Sequence, residues 1–229
     1  MATFVLTHGS WGGVWTWDRL RPLLEDAGHR VLTPTLTRFA EKHDLTGPEV
    51  GLGTNARDIA DLLSAEDLHD VILVGHSYGG MVITGAAALV PDRVGQIVDA
   101  FAPTTGESAV TVLPWLADAF LPPGGGPEWE VAPLDPRALG ADEDGAGWLE
   151  GRMTPMPRLT HAEPLGPGSE EVLANRQVTY IHCAAQEFCN DTAAAATKRG
   201  FRLVTLTEVS HAEVLIQPQV LARELLALV

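Results

Sequence analysis

The chain lacks most of what would tie it to a charged polymer, a bilayer or a disulfide scaffold. Only two of its 229 residues are cysteine, and Cys183 and Cys189 stand too close together, around one strand end, to form a disulfide framework. Lysine occurs twice against thirteen arginines, and the formal net charge is −15. Such a surface is repelled by nucleic-acid phosphate and by anionic lipid, so neither is expected as a partner. No apolar run approaches the length of a membrane span. Residues 1–6 lead straight into His8-Gly9 without a basic region and apolar signal core, and with the cysteine usage this points to the cytoplasm. His, Cys and carboxylate residues do not gather at metal-ligand spacing, so no metal is expected.

What the chain does have is Val71-Ile72-Leu73-Val74-Gly75-His76-Ser77-Tyr78-Gly79-Gly80. A β-branched apolar run breaks into Gly-x-Ser-x-Gly and continues from Met81 to Val90 as an apolar, small-residue stretch without proline. Strand, sharp turn and helix are the context that makes this pattern a nucleophile elbow. Ser77 at the tip needs a strained backbone, and Gly75 and Gly79 leave the room for it. The N–H groups that open the helix then point at a developing oxyanion. The motif carries serine where a phosphate loop needs Lys-Ser or Lys-Thr, so no nucleotide cofactor is implied.

Around the elbow, strands alternate with helices. Short apolar runs at residues 3–7, 30–32, 71–75, 94–98, 178–183 and 202–206 read as strands. Helical spacing covers 15–27, 55–65 behind a Thr54 cap, 81–90, 191–198 and 218–228. This order means an α/β protein with a mainly parallel sheet of about six strands covered on both faces. Chemistry in such sheets collects at the carboxyl ends of the strands, and His8, Ser77, Asp99 and His211 each fall just past one.

Residues 104–170 break the alternation with prolines, the triplet Gly124-Gly125-Gly126 and the acidic cluster Asp142-Glu143-Asp144. Short helices are expected at 113–120 and 147–152. So long a connection inside a compact domain reads as a cap inserted into a core of residues 1–103 and 171–229. Trp115, Phe120, Trp129, Trp148 and Leu149 have apolar surface to bury there.

Ser77 needs a base, and His211, directly after the last core strand, completes the order nucleophile, acid, histidine. His76, beside the nucleophile, is expected to point away from the pocket, and His8 to shape the first loop. The oxyanion hole is expected from the backbone N–H groups of Tyr78 and Ser10. His8-Gly9-Ser10-Trp11-Gly12-Gly13-Val14-Trp15, Leu23-Leu24, Ala27-Gly28-His29, the elbow and Tyr180-Ile181-His182-Cys183 together resemble the plant methylesterase and hydroxynitrile lyase family of α/β-hydrolases. They are closer still to its small bacterial esterase relatives. The resemblance implies the α/β-hydrolase fold and places the family's aspartate at Gln186, which has no charge to steady an imidazolium. Asp99 ends the strand after the elbow, where some lipases of this fold carry their acid; Glu187 and Asp191 are the other candidates. The catalytic set read from the sequence is therefore Ser77, His211 and Asp99.

The expected activity is that of a serine hydrolase cleaving a small apolar or aromatic carboxylic ester or lactone through an acyl-enzyme, with no cofactor. Two alternatives stay open. One is non-hydrolytic chemistry on the same fold, by a lyase or ring-cleaving enzyme. For cyanohydrin cleavage, the family's threonine and lysine positions hold Gly9 and Ala212 here. The other is a ligand-binding protein with little turnover. A second copy of the chain, as a homodimer, is a further partner left open.

Overall fold

The computed structural model describes residues 1–45, 47–99, 101, 103–119 and 128–229. Six strands form one parallel sheet: β1 (Thr3–Thr7), β2 (Arg30–Leu32), β3 (Val71–Gly75), β4 (Val94–Asp99), β7 (Gln177–Cys183) and β8 (Arg202–Leu206). Their spatial order is β2-β1-β3-β4-β7-β8, with every neighbouring pair parallel. β3 is buried along its whole length. Val71 and Leu73 pack into one apolar layer while Ile72 and Val74 pack into the other. This is why the strand is apolar without alternation.

On one face lie α2 (Leu52–Ala65), α3 (Tyr78–Leu89) and α8 (Ser169–Ala174), with Ile59, Met81 and Val172 against the sheet. On the other lie α1 (Arg21–Asp26) and α11 (Pro218–Leu226), contributing Leu24, Leu221 and Leu225. The single helix expected over 15–27 is two pieces, a 3-10 turn at Val14–Trp17 and then α1. Pro22 explains the break, because its ring is tolerated only in a first helical turn. Likewise α2 begins at Leu52 with Gly51 in the N-cap position, so Thr54 lies inside the helix rather than capping it. α9 (Asn190–Lys198) and the short α10 (Glu213–Ile216) complete the core.

Between β4 and β7 the chain forms α4 (Ala109–Val112), α5 (Trp115–Ala119), a two-stranded antiparallel ribbon of β5 (Glu130–Val131) and β6 (Met156–Pro157), α6 (Glu143–Glu150) and α7 (Leu159–Ala162). The acidic cluster is the start of α6. Asp142 accepts the Gly145 N–H at 2.8 Å, and Glu143 and Asp144 complement the helix dipole. Trp148 lies under the Arg19 and Arg152 guanidinium groups, and Trp129 under Arg38. Phe120 and the triplet Gly124-Gly125-Gly126 lie outside the described residues. Among the described residues no helix is long and apolar enough to cross a membrane.

Candidate active site

β3 delivers Ser77 to the carboxyl end of the sheet with φ +55° and ψ −126°, a conformation that side-chain-bearing residues rarely adopt. The surrounding glycines make that turn fit. A Cβ on Gly75 would stand 2.5 Å from the Gly79 carbonyl carbon, and one on Gly79 would strike the Thr7 carbonyl. Gly80 is equally constrained, because its Cβ would collide with the Asp99 carboxylate. The sequence reading did not single out that third glycine.

One cavity at this end of the sheet is lined by both Ser77 and His211. Most of its wall is apolar, and the segment after β4 contributes Leu113, Trp115, Leu134, Leu149 and Met153 to it. Ser10 and Tyr78 line it too, and their N–H groups have no acceptor among the described residues. The Tyr78 phenol donates to Asn55 Oδ1 at 2.8 Å, and its ring is stacked between Phe39 and His161. The side chain is thereby anchored away from its own N–H.

His211 is fixed from several sides. Its carbonyl accepts the His76 Nε2–H at 3.0 Å, and the two imidazoles lie 4.5 Å apart at 32°. Phe188 packs edge-on against the ring, at 5.3 Å. Although part of the ring opens on the cavity, this packing hinders hydration of its cation. Burial first, and His76 second, hold its pKa well below 6.5. His76 does not point away as expected: it lines the cavity, and burial lowers its pKa to about 4. His8 shapes the first loop, its Nδ1 bonded to the Gly9 carbonyl and its Nε2 accepting the Leu36 N–H.

The acid candidates are distributed unevenly. Asp99 is buried at the end of β4, where its Oδ1 accepts the Phe101 N–H at 2.7 Å and its Oδ2 accepts from Thr84 Oγ1 at 3.4 Å. Those bonds turn the carboxylate toward the opening of α3. A second, smaller cavity is lined by Asp99, His211 and Cys189 together, and Asp99 is the only carboxylate among the described residues lining either cavity. Glu187, in the turn after β7, and Asp191, in the first turn of α9, are exposed and line neither. Gln186 donates to the Ala138 carbonyl at 3.3 Å. The Cys189 sulfur lies 4.0 Å from His211 Nδ1. Burial pushes that thiol up to about 11, so it stays protonated. No signal in the sequence pointed to Cys189. Among the described residues, no three His, Cys, Asp or Glu side chains group as a metal site.

A family model described as "Alpha/beta hydrolase family" matches residues 4–224. The chain is 38% identical over 200 residues to a carbendazim hydrolyzing esterase of Nocardioides sp. (strain SG-4G), covering 79% of each protein. It is 32% identical over 149 residues to methylesterase 8 of Arabidopsis thaliana, covering 58% of this chain and 48% of that protein. Among solved structures, an extracellular alpha/beta-hydrolase from a Paenibacillus species superposes with a TM-score of 0.84 at 25% identity, over 97% of each chain. That protein is described as sharing structural and functional homology with tobacco salicylic acid binding protein 2.

Proposed function

Because the chain belongs to the alpha/beta hydrolase family, we propose that it is a carboxylic ester hydrolase in which Ser77 is the nucleophile and His211 the general base. Relatives named as esterases and methylesterases support the reaction class. The observation that carries the reading is the shared cavity: a serine at positive φ and an imidazole on one wall, two unspent N–H groups beside them, and apolar surface elsewhere.

In this reading Ser77 Oγ attacks the ester carbonyl as His211 Nε2 takes its proton, and the carbonyl oxygen gathers its charge on the Ser10 and Tyr78 N–H groups. The imidazolium then protonates the leaving alcohol, and water, deprotonated by the same nitrogen, clears the acyl-enzyme. Asp99 is the acid we assign to the set, acting on His211 across the small cavity that both line. The apolar wall suits an apolar or aromatic group on the substrate, and residues 104–170 act as the cap that supplies it. Cyanohydrin cleavage is disfavoured at Gly9, where a Cβ would stand 2.8 Å from the His76 carbonyl oxygen and 2.9 Å from Ser77 Cβ. A threonine does not fit there without moving the elbow.

A panel of 4-nitrophenyl and aromatic methyl esters tests this assignment, with Ser77→Ala as control. Hydrolysis by the wild type should fall at least about a thousandfold in the variant, and a fluorophosphonate should label Ser77. Tight binding of the esters without turnover in the wild type would replace the hydrolase with a binding protein.

A further inference from the structure

One wall of the cavity carries a second serine–histidine pair, which the hydrolytic reading does not use. His161, on α7, is buried and reaches across to the first loop, where its Nε2 meets Ser10 Oγ at 2.8 Å. Its Nδ1 meets Thr160 Oγ1 at 2.8 Å, and Thr160 donates in turn to the Pro157 carbonyl at 2.7 Å. Both Ser10 and His161 line the cavity that holds Ser77.

The direction of every proton in this chain is forced from its far end. The Pro157 carbonyl can only accept, so the Thr160 hydroxyl spends its hydrogen there. Thr160 Oγ1 must then accept, which puts the ring hydrogen of His161 on Nδ1 and leaves Nε2 bare. Burial lowers the pKa of His161 to about 3, so a second ring proton is not available at neutral pH. The Ser10 hydroxyl therefore donates to Nε2, and what it offers the cavity is lone pairs alone. Of the other hydroxyls lining the cavity, Thr192 and Tyr78 donate to protein acceptors and Thr16 accepts the Gly13 N–H.

We propose that Ser10 Oγ is an acceptor-only recognition point, set by the Ser10–His161–Thr160–Pro157 chain, and that it selects esters carrying an O–H or N–H on the atom bonded to the reacting carbonyl. The geometric reason is local. The Ser10 N–H and Ser10 Oγ belong to one residue, so a carbonyl held by the N–H brings its α substituent beside the hydroxyl. α-Hydroxy esters and N–H carbamates share this donor, whereas their O- or N-methylated forms present no hydrogen and leave the acceptor buried and unpaired. The inference rests on the hydrolase reading only for where the carbonyl sits.

The test uses racemic methyl mandelate, its O-methyl ether and methyl phenylacetate. Binding is read by calorimetry on Ser77→Ala protein, and kcat/KM is read on protein with Ser77 intact. The mandelate should be favoured over its ether by about tenfold in both readouts. Ser10→Ala should bring that ratio to within about threefold of one, because the acceptor is gone. His161→Phe should also bring it toward one, since the Ser10 hydroxyl, released from Nε2, can now donate to the ether oxygen as well as accept from the mandelate hydroxyl. A merely structural role for His161 would change the rates of both esters together and leave the ratio at its parent value. An unchanged ratio in Ser10→Ala, or no preference in the parent proteins, overturns the proposal even if His161→Phe fails to fold. A binding preference without any hydrolysis would sink the hydrolase reading and leave this one standing.

Discussion

The Ser77 side of the candidate site and the side around His211 Nδ1 are built by different means. Ser77 is placed by backbone alone: a strand buried on both faces, a positive φ, and three glycines whose missing Cβ atoms let β1, β3 and α3 close around it. The groups around His211 Nδ1 are placed by side-chain packing, with the Cys189 thiol at 4.0 Å and Asp99, the one cavity-lining carboxylate among the described residues, bonded to the Phe101 N–H and the Thr84 hydroxyl. Steric exclusion at glycine permits few solutions, whereas a strand end fixes where a carboxylate starts and not where it aims. The first kind of construction tolerates almost no substitution, and the second should be open to redesign.

The harshest way to probe the contrast is to add one methyl group to the elbow. Gly75→Ala places a carbon 2.5 Å from the Gly79 backbone, so kcat/KM should fall about as far as in Ser77→Ala, with a lowered Tm that Ser77→Ala does not share. Equal melting temperatures for the two variants would show that the turn relaxes. Next comes Asp99→Asn, which keeps an oxygen for the Phe101 N–H while removing the charge. Loss of roughly a hundredfold in kcat/KM is expected if that charge steadies the imidazolium, and a change under about threefold would make Asp99 a structural residue.

Cys189→Asp sharpens the comparison in the opposite sense by installing a carboxylate beside Nδ1. The His211 pKa should rise, moving the acid limb of the pH–rate profile to higher pH, with kcat raised a few-fold where the base is neutral. In the wild type that limb should lie well below pH 6.5, because the neutral, active form of His211 persists to lower pH than an ordinary imidazole allows. The gentlest effect is on stability. His8 and His76 are held down to about 4 and His161 to about 3 by burial. Below about pH 6.5 the unfolded chain takes up protons that the folded chain refuses. Stability should therefore be whole above 6.5 and drain away as pH falls toward 4, which a series of thermal melts would follow.

Much of this was legible from the sequence, and the parts that were not share a cause. The fold followed from alternating apolar runs, and the resemblance to esterases of the methylesterase family agreed with the relatives found. Ser77 and His211 could be placed at one end of the sheet because each follows a strand. The rest depended on orientation or on distant pairing. His76 was expected to face away because it precedes the nucleophile in an extended run, yet the turn rotates its ring onto His211. The Ser10–His161 bond spans 151 positions in the chain, and no local pattern announces it. Cys189 stands out in the sequence only by its closeness to Cys183, and its contact with His211 spans 22 positions.

The loop carrying His211 is fastened on both sides to the segment between β4 and β7. Ser210 Oγ donates to the Gly140 carbonyl at 2.8 Å, and the Ala212 N–H donates to the Leu139 carbonyl at 2.9 Å. Gly140 adopts φ +89°, and a Cβ there would strike the Ser210 side chain. The address of the proposed general base is thus written partly in the segment between β4 and β7. Swapping that stretch for a relative's to change substrate range would carry a hidden passenger: unless the 139–140 corner travels intact, the new pocket arrives with its proton acceptor displaced.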